Sequence, residues 1–298
     1  MLRRPEVESI LTWLAAELGG DYRTAEIRPS GAGCINATYE VYKSGLDSVF
    51  LKVGATGQLD MYKKESLGLQ WLRRCDAVRV PAVYNCAELE QCSVLALEFI
   101  ALASVRSTHE AVFGEALAQL HNIKADAFGL DHNNYIGRTH QINGWHADWW
   151  AFYVDQRLLP QRKLAEAKSM RGALLERLDR LMALIPGAMQ GYAPDPALLH
   201  GDLWSGNMAV DAQGKPTLFD PAVYFGDAET DLAMTRMFGA PGAAFYDAYH
   251  HAIALREGHE LRRNLYDLYH WLNHFNLFGV IYLGQVESAL NAALAELG

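Results

Sequence analysis

The stretch LLHGDLWSGNMAV, residues Leu198 to Val210, runs out of an apolar strand into His200, Gly201 and Asp202, then a tryptophan, then an asparagine. Asp202 and Asn207 stand five residues apart, on either side of Trp204 and just past the strand end. Asp and Asn are common in loops for turn formation alone, so this spacing is compatible with a plain turn. It also fits a chemical use. A hydroxyl that attacks a nucleoside triphosphate needs a carboxylate to orient it and accept its proton, and a divalent cation on the phosphates. Asp202 suits the first task and the neutral oxygen of Asn207 suits the second.

A charged metal ligand is still required, and Asp220 in TLFDPAV offers one at the end of the next β-rich run. The three side chains converge if Met208 to Val210 and Thr217 to Phe219 pair as a hairpin through the turn at Gly214. The set, with its His-x-Asp-x-x-x-x-Asn spacing, resembles the catalytic Asp, metal-binding Asn and metal-binding Asp of the protein-kinase template. His200 reads as a loop-bracing histidine rather than an acid or base.

The supporting context lies upstream. In SVFLKVGA, Lys52 interrupts an apolar strand, where an uncompensated ammonium is costly, and Glu65 in the following helix is placed to partner it. The pair resembles the strand lysine and helix glutamate that hold the phosphates of ATP in kinases. Earlier still, PSGAGCINATYEV puts Gly31, Gly33 and Cys34 in a turn between two strands, where backbone amides can lie over phosphates. Asn36 stands where a third glycine of the protein-kinase pattern would be. Glu98 to Ile100 ends the last strand of this part and is the expected connector, offering backbone groups to adenine. Glycine turn, lysine, glutamate and the Asp, Asn, Asp set thus occur in kinase order.

Composition agrees with a globular enzyme. The 298 residues are 50% hydrophobic and 20% charged, enough for a large core in one or two domains. No apolar run reaches the roughly 18 residues of a membrane span, and Glu6, Glu8 and Glu17 interrupt the N-terminal segment, so it reads as an amphipathic helix and not an export signal. The net charge of −9, with dispersed Lys and Arg, gives no nucleic-acid footprint. The four cysteines, Cys34, Cys75, Cys86 and Cys92, lack Cys-x-x-Cys spacing, so neither a zinc site nor an extracellular disulfide framework is expected and a cytoplasmic location is the default.

Periodicity divides the chain. β-rich runs at TAEIRPSG, ATYEVYKS and SVFLKVGA read as an antiparallel meander. A helix follows over Leu59 to Arg74, with Leu67 and Trp71 one turn apart on a shared side, then strands AVYNCAEL and SVLALEFI. Beyond residue 100 helical patterns dominate, broken by a β-rich island from Ala197 to Val223. The expected fold is α+β, protein-kinase-like and two-lobed: a small N-terminal antiparallel-sheet lobe over residues 1–100 binding ATP, and a larger, mainly helical lobe over 101–298 for catalysis and substrate. His270 and His274 share a helix face without the Glu of His-Glu-x-x-His, so zinc is not expected there. Tyr266, Tyr269, Trp271 and Phe275 in the same helix read as core packing.

Asp220 is followed by Pro221 and Ala222 rather than Phe-Gly, no lysine comes soon after Asp202, and no Ala-Pro-Glu segment follows, which disfavours a peptide substrate. Through GAGCIN, FLKVG, LAQLHN, the Trp-rich region near Trp145, RLLPQ, LLHGDLWSGN, FDPAVYFGDAETDLAMTRMFG and LYHWLNHFNLFG, the chain resembles the fructosamine-3-kinase (ketosamine-3-kinase) family, within the aminoglycoside phosphotransferase-like group. The resemblance implies ATP- and magnesium-dependent phosphorylation of the 3-hydroxyl of a ketosamine, giving an unstable product and so promoting deglycation. It implies Asp202 as base, Asn207 and Asp220 as magnesium ligands, Lys52 with Glu65 as phosphate clamp, and Asp231 as a structural brace of the catalytic loop. Trp204 is then expected to pack on the apolar face of the sugar, against the rival that it is a core aromatic. In similar family members the cysteine corresponding to Cys34 is linked to redox control, which makes a redox-linked homodimer through Cys34 a possibility beside an inert thiol. Two other readings stay open: a kinase of another small alcohol or aminoglycoside on the same fold, and a catalytically silent nucleotide-binding protein.

Overall fold

The structure is a computed structural model that describes residues 2–31 and 37–297. Helix α1 (Arg4–Leu18), with Pro5 in its first turn and Gly19 closing it in the left-handed region, packs on a five-stranded antiparallel sheet. The strands are β1 (Glu26–Pro29), β2 (Ala37–Tyr42), β3 (Val49–Gly54), β4 (Val83–Glu88) and β5 (Ser93–Glu98), in spatial order β1-β2-β3-β5-β4. Helix α2 (Leu59–Leu72) links β3 to β4.

Alternation along the strands builds two cores. Val49, Leu51 and Val53 of β3 and Val94 and Ala96 of β5 enter a small core with Ile10, Leu11 and Leu14 of α1. Leu95 and Leu97 face the other way, joining Tyr62, Leu69 and Leu72 of α2 in the large core of the rest of the chain. Lys52 lies on that second face. The helix expected at 59–74 is present, but its buried side is not the Leu67–Trp71 stripe. Leu67 is exposed, Trp71 is half-buried edge-on against Phe225, and the buried positions are Tyr62, Ser66, Gly68, Leu69 and Leu72. Tertiary contact on one flank of the helix overrides the simple apolar count.

The large part contains α3 (Ser107–His121), a hairpin of β6 (Asn134–Ile136) and β7 (Thr139–Gln141), then α4 (Trp149–Tyr153), which passes through a π-helical turn (Val154–Leu158) into α5 (Leu159–Ala167), and α6 (Gly172–Ala188). Four short strands follow: β8 (Ala197–Leu199), β9 (Met208–Val210), β10 (Pro216–Leu218) and β11 (Tyr224–Gly226). β9 pairs with β10, Met208 opposite Leu218, as the Gly214 turn requires, and β8 pairs with β11, Leu199 opposite Tyr224. Helices α7 (Glu229–Thr235), α8 (Ala243–Ala252), α9 (His259–Phe278) and α10 (Leu283–Leu297) complete the chain. The apolar C-terminal run is divided at Gly279, so that α10 folds back on α9 and α6. The two parts are joined by backbone: the Arg79 amide donates to Pro216 O at 2.6 Å and the Leu218 amide to Arg79 O at 2.9 Å, and just past the connector Ala103 and Val210 exchange both hydrogen bonds at 2.8 and 2.9 Å. Among the described residues no helix is long and apolar enough to cross a membrane.

Candidate active site

Two miniature sheets hold the opening stretch. β8 delivers the chain to His200, and β11, antiparallel beside it, delivers the 219–223 segment, with the Ala222 amide donating to His200 O at 2.8 Å. Between them Gly201 adopts φ +82°, and a Cβ placed there would lie 2.1 Å from Ala222 O. A side chain is excluded twice over, by backbone conformation and by contact. The loop then turns through Ser205–Asn207 into β9.

Asp231, at the start of α7, accepts hydrogen bonds from the amides of His200 (2.7 Å) and Gly201 (2.9 Å) and from His121 Nε2 (3.2 Å). Burial opposes its charge, but the His121 hydrogen bond and the other donors win and hold its carboxyl below the usual range. His121 Nδ1 in turn meets the Tyr249 hydroxyl at 2.7 Å. His200 bridges the two segments, Nε2 bonding Phe219 O at 2.9 Å and Nδ1 accepting the Asp202 amide at 3.3 Å. That pattern requires a neutral imidazole protonated on Nε2, in keeping with burial, which pushes its pKa down.

Asp202 lies at the mouth of this frame. Asn207 Nδ2 donates to Asp202 O at 2.8 Å and to Asp202 Oδ2 at 3.3 Å, so the amide nitrogen is committed within the loop and Oδ1 is the atom left for a metal. Burial first, and then the charge of Asp220, push the Asp202 carboxyl up to about 7, against the Asn207 hydrogen bond. A carboxyl in that range is matched to proton transfer near neutrality. Asp220 takes φ +57°, a left-handed conformation that Asp tolerates better than most residues, and its side chain is 47% exposed. Lys52 Nζ lies 2.5 Å from Asp220 Oδ1 and 2.6 Å from Glu65 Oε1. Burial works against the ammonium, but the two carboxylates outweigh it and raise its pKa, so Lys52 stays protonated. Lys52, Glu65, Asp202, Asn207 and Asp220, drawn from 168 positions of sequence, thus form one site.

Other expected residues are placed less directly. Gly31, at φ +78°, closes the β1 end of its turn, while Gly33 and Cys34 lie outside the described residues. The Glu98 amide donates to Ala82 O at 2.8 Å and its carboxylate accepts from the Ala82 amide and pairs with Arg79, so that residue braces β4. Its amide is committed, and Phe99 and Ile100, half-buried, follow it on the connector. Trp204 is half-buried, with its indole against Gly206 and edge-on to Phe238 at 5.8 Å. Phe238 continues to Trp271 (5.3 Å) and His274 (4.9 Å). Tyr266, Tyr269 and Phe275 are buried core residues, whereas half-buried Trp271 belongs to this wall. Phe238 and His121 carried no role in the sequence reading: each stood only inside a quoted run, His121 in LAQLHN and Phe238 at the end of FDPAVYFGDAETDLAMTRMFG.

A family model described as fructosamine kinase matches residues 6–296. Over 293 residues the chain is 36% identical to the chloroplastic protein-ribulosamine 3-kinase of Arabidopsis thaliana, covering 97% of this chain and 89% of that one. A solved structure from Haemophilus somnus, described as a candidate fructosamine-3-kinase, matches with TM-score 0.86 and 26% identity, over 96% of this chain and 97% of the other. An aminoglycoside phosphotransferase in ternary complex with AMP-PNP and hygromycin B matches with TM-score 0.65 over 97% of this chain and 98% of that one; at 15% identity this shows a shared protein-kinase-like fold.

Proposed function

Because the chain belongs to the fructosamine kinase family, we propose that it is an ATP- and magnesium-dependent kinase that phosphorylates the 3-hydroxyl of ketosamines, the adducts left when a sugar glycates an amine. The unstable 3-phosphate would then promote deglycation. The observation that carries this reading is the convergence of Asp202 and its partner Asn207 with the Lys52, Glu65 and Asp220 cluster. The name of the Arabidopsis relative supports a ketosamine acceptor, and the AMP-PNP complex of the fold neighbour supports ATP.

In this account residues 1–100 bind ATP and residues 101–298 carry catalysis and the acceptor. The turn containing Gly31, Gly33 and Cys34 covers the phosphates, and Glu98 to Ile100 flank adenine. Lys52 holds a phosphate oxygen with its ammonium, kept charged and aimed by Glu65. The donors of Asp220 and Asn207, one carboxylate and one amide oxygen, suit magnesium, which usually completes its octahedral shell with phosphate oxygens and water. Magnesium there would offset charge on the triphosphate. Asp202 accepts a hydrogen bond from the acceptor hydroxyl, orients it and takes its proton as the bond to the γ-phosphorus of ATP forms and that phosphorus's bond to the β,γ-bridging oxygen breaks, releasing ADP. Trp204 offers an aromatic face to the sugar, and positioning is much of what this chemistry asks of a protein. His200 and Asp231 fix the loop through their hydrogen bonds to its backbone.

Release of ADP from magnesium-ATP with ribulosyl-, fructosyl- and erythrulosyl-lysine, choline and an aminoglycoside tests the reading. Turnover confined to the ketosamines supports it. Turnover of an alcohol outside that class alone would discard the deglycation role, and absence of any turnover would favour a silent nucleotide binder. Redox control by a disulfide-linked dimer through Cys34 is a separate proposal, motivated by that cysteine's place in the glycine turn. An unchanged monomer band on non-reducing gels after peroxide, with unchanged activity, would rule it out.

A further inference from the structure

Arg157 is fully buried in the π-helical turn between α4 and α5, and among the described residues its donors reach amide and carbonyl oxygens rather than a carboxylate. The guanidinium lies 3.9 Å from the Tyr224 ring centroid and 4.6 Å from that of Phe152. A buried cation without an anionic partner is expensive to keep, so its contacts call for a reason. Nη1 donates to Ile142 O at 2.7 Å and Nη2 to Asn143 Oδ1 at 2.8 Å, gripping the end of the β6–β7 hairpin. From there a run of buried amides leads to the site: Asn143 Nδ2 donates to Asn134 Oδ1 (2.9 Å), as does Gln141 Nε2 (2.8 Å). Asn134 Nδ2 donates to Val223 O (2.8 Å), and Gln141 Nε2 also reaches Ala222 O (3.1 Å). The Tyr269 hydroxyl, from α9, donates to Gln141 Oε1 at 2.9 Å and fixes the amide's orientation.

Ala222 and Val223 are the second and third residues after Asp220, and Ala222 is also the residue whose amide holds His200 O and whose carbonyl crowds Gly201. We propose that Arg157, Asn143, Asn134 and Gln141 are positioning residues that clamp the 220–223 backbone and so set the metal-binding direction of Asp220 against the Asp202 loop. The proposal rests on the assignment of Asp220 as a metal ligand. The relay passes through amides, which have both donors and acceptors and can be fully satisfied without adding charge beside the metal carboxylate. Arg157 anchors it because a planar fork stacked on Tyr224 can hold Ile142 and Asn143 together, which a lysine's single ammonium does not reproduce.

The test is the affinity of Mn2+, followed by electron paramagnetic resonance, for the protein saturated with ADP, alongside ADP binding in EDTA, kcat and thermal unfolding. Gln141→Met keeps the volume and removes both donated bonds. It is expected to weaken Mn2+ about tenfold, the scale of one or two lost buried hydrogen bonds, with kcat falling in step and ADP affinity in EDTA unchanged. Arg157→Lys should do the same. Arg157→Met goes further, and if it does not fold, Gln141→Met still decides. Unchanged Mn2+ affinity in folded Gln141→Met would overturn the proposal, as would equal loss of Mn2+ and of metal-free ADP binding, which marks a merely structural network. If the wild-type protein with ADP binds no Mn2+, the assignment of Asp220 fails instead.

Discussion

At the scale of single residues, Asp202 is held between groups that pull its proton in opposite directions. Burial and Asp220 favour the protonated carboxyl and Asn207 favours the carboxylate, leaving it at about 7. Since this folded-state pKa is raised above the unfolded value, the group stabilises the fold least when ionised: its contribution is fully present below about pH 4 and is lost as pH rises through 7. Asp202→Asn is therefore expected to lower turnover about a thousandfold, the usual scale for losing a general base. Measured without metal or nucleotide, the same variant should melt roughly 3 °C higher at pH 8, with the gap closing toward pH 4. A variant that loses activity without this pH-dependent gain would mean that Asp202 is less buried in solution. Gly201→Ala combines a left-handed backbone with a collision against Ala222 O, and is expected to destabilise by about 2 kcal/mol or more in urea unfolding, with activity lost as the loop shifts. That Asp202, Asn207, Asp220, Lys52 and Glu65 come together was legible because the proposed chemistry asks for particular residue types at ordered positions. Arg157 stood inside the quoted RLLPQ run without a role, and Gln141 inside no quoted run, since a lone Arg or Gln shows no function until its burial and partners are known.

At the scale of elements, helix α2 carries Glu65 and is pressed onto the segment that follows Asp220. A Cβ on Gly68 would come within 3.1 Å of Pro221 Cγ, Trp71 meets Phe225 edge-on at 5.3 Å, and the Tyr135 hydroxyl ties β6 to Asp60 at 3.0 Å. Gly68→Val should therefore push α2 off Pro221 and Val223, loosen the Lys52–Glu65 pair and raise the KM for ATP roughly tenfold, the worth of a charged hydrogen bond. An unchanged KM would show that α2 is free to yield. The presence of α2 followed from its pattern, but its buried face did not: Gly68 is small because the side chains of Pro221 and Val223 approach it, and this is invisible to a count of apolar residues. The β6–β7 hairpin was missed for a related reason, as three-residue strands rich in Asn, Thr and Gln have no alternation to detect. The aromatic wall of Trp204, Phe238, Trp271 and His274 likewise crosses three elements. Trp204→Ala is expected to raise the KM for the acceptor roughly tenfold while that for ATP changes less than about twofold; parallel loss of both would return Trp204 to the core.

At the scale of the molecule, the sheet has one face in a small core with α1 and its other face in the large core with α2 and the C-terminal helices. The kinase order of motifs made this two-part arrangement legible, since lysine, glutamate and the Asp, Asn, Asp set act only when two layers meet. Ligation across that junction should couple the parts. Magnesium with ADP at a hundredfold excess over its dissociation constant is worth about 2.7 kcal/mol, so the melting temperature should rise by roughly 6 °C, and less with ADP in EDTA. An equal rise in EDTA would remove the metal from the coupling. The family places the acceptor among ketosamines, and the position of the transferred phosphate tests that assignment most directly. The measurement is 31P–1H correlation NMR of the product formed from ATP, magnesium and ribulosyl-lysine, with Asp202→Asn as control. The account predicts phosphate on O3 of the ketosamine, formed by the wild-type protein and not detectably by the variant; phosphate on another oxygen, or equal product from Asp202→Asn, would contradict it.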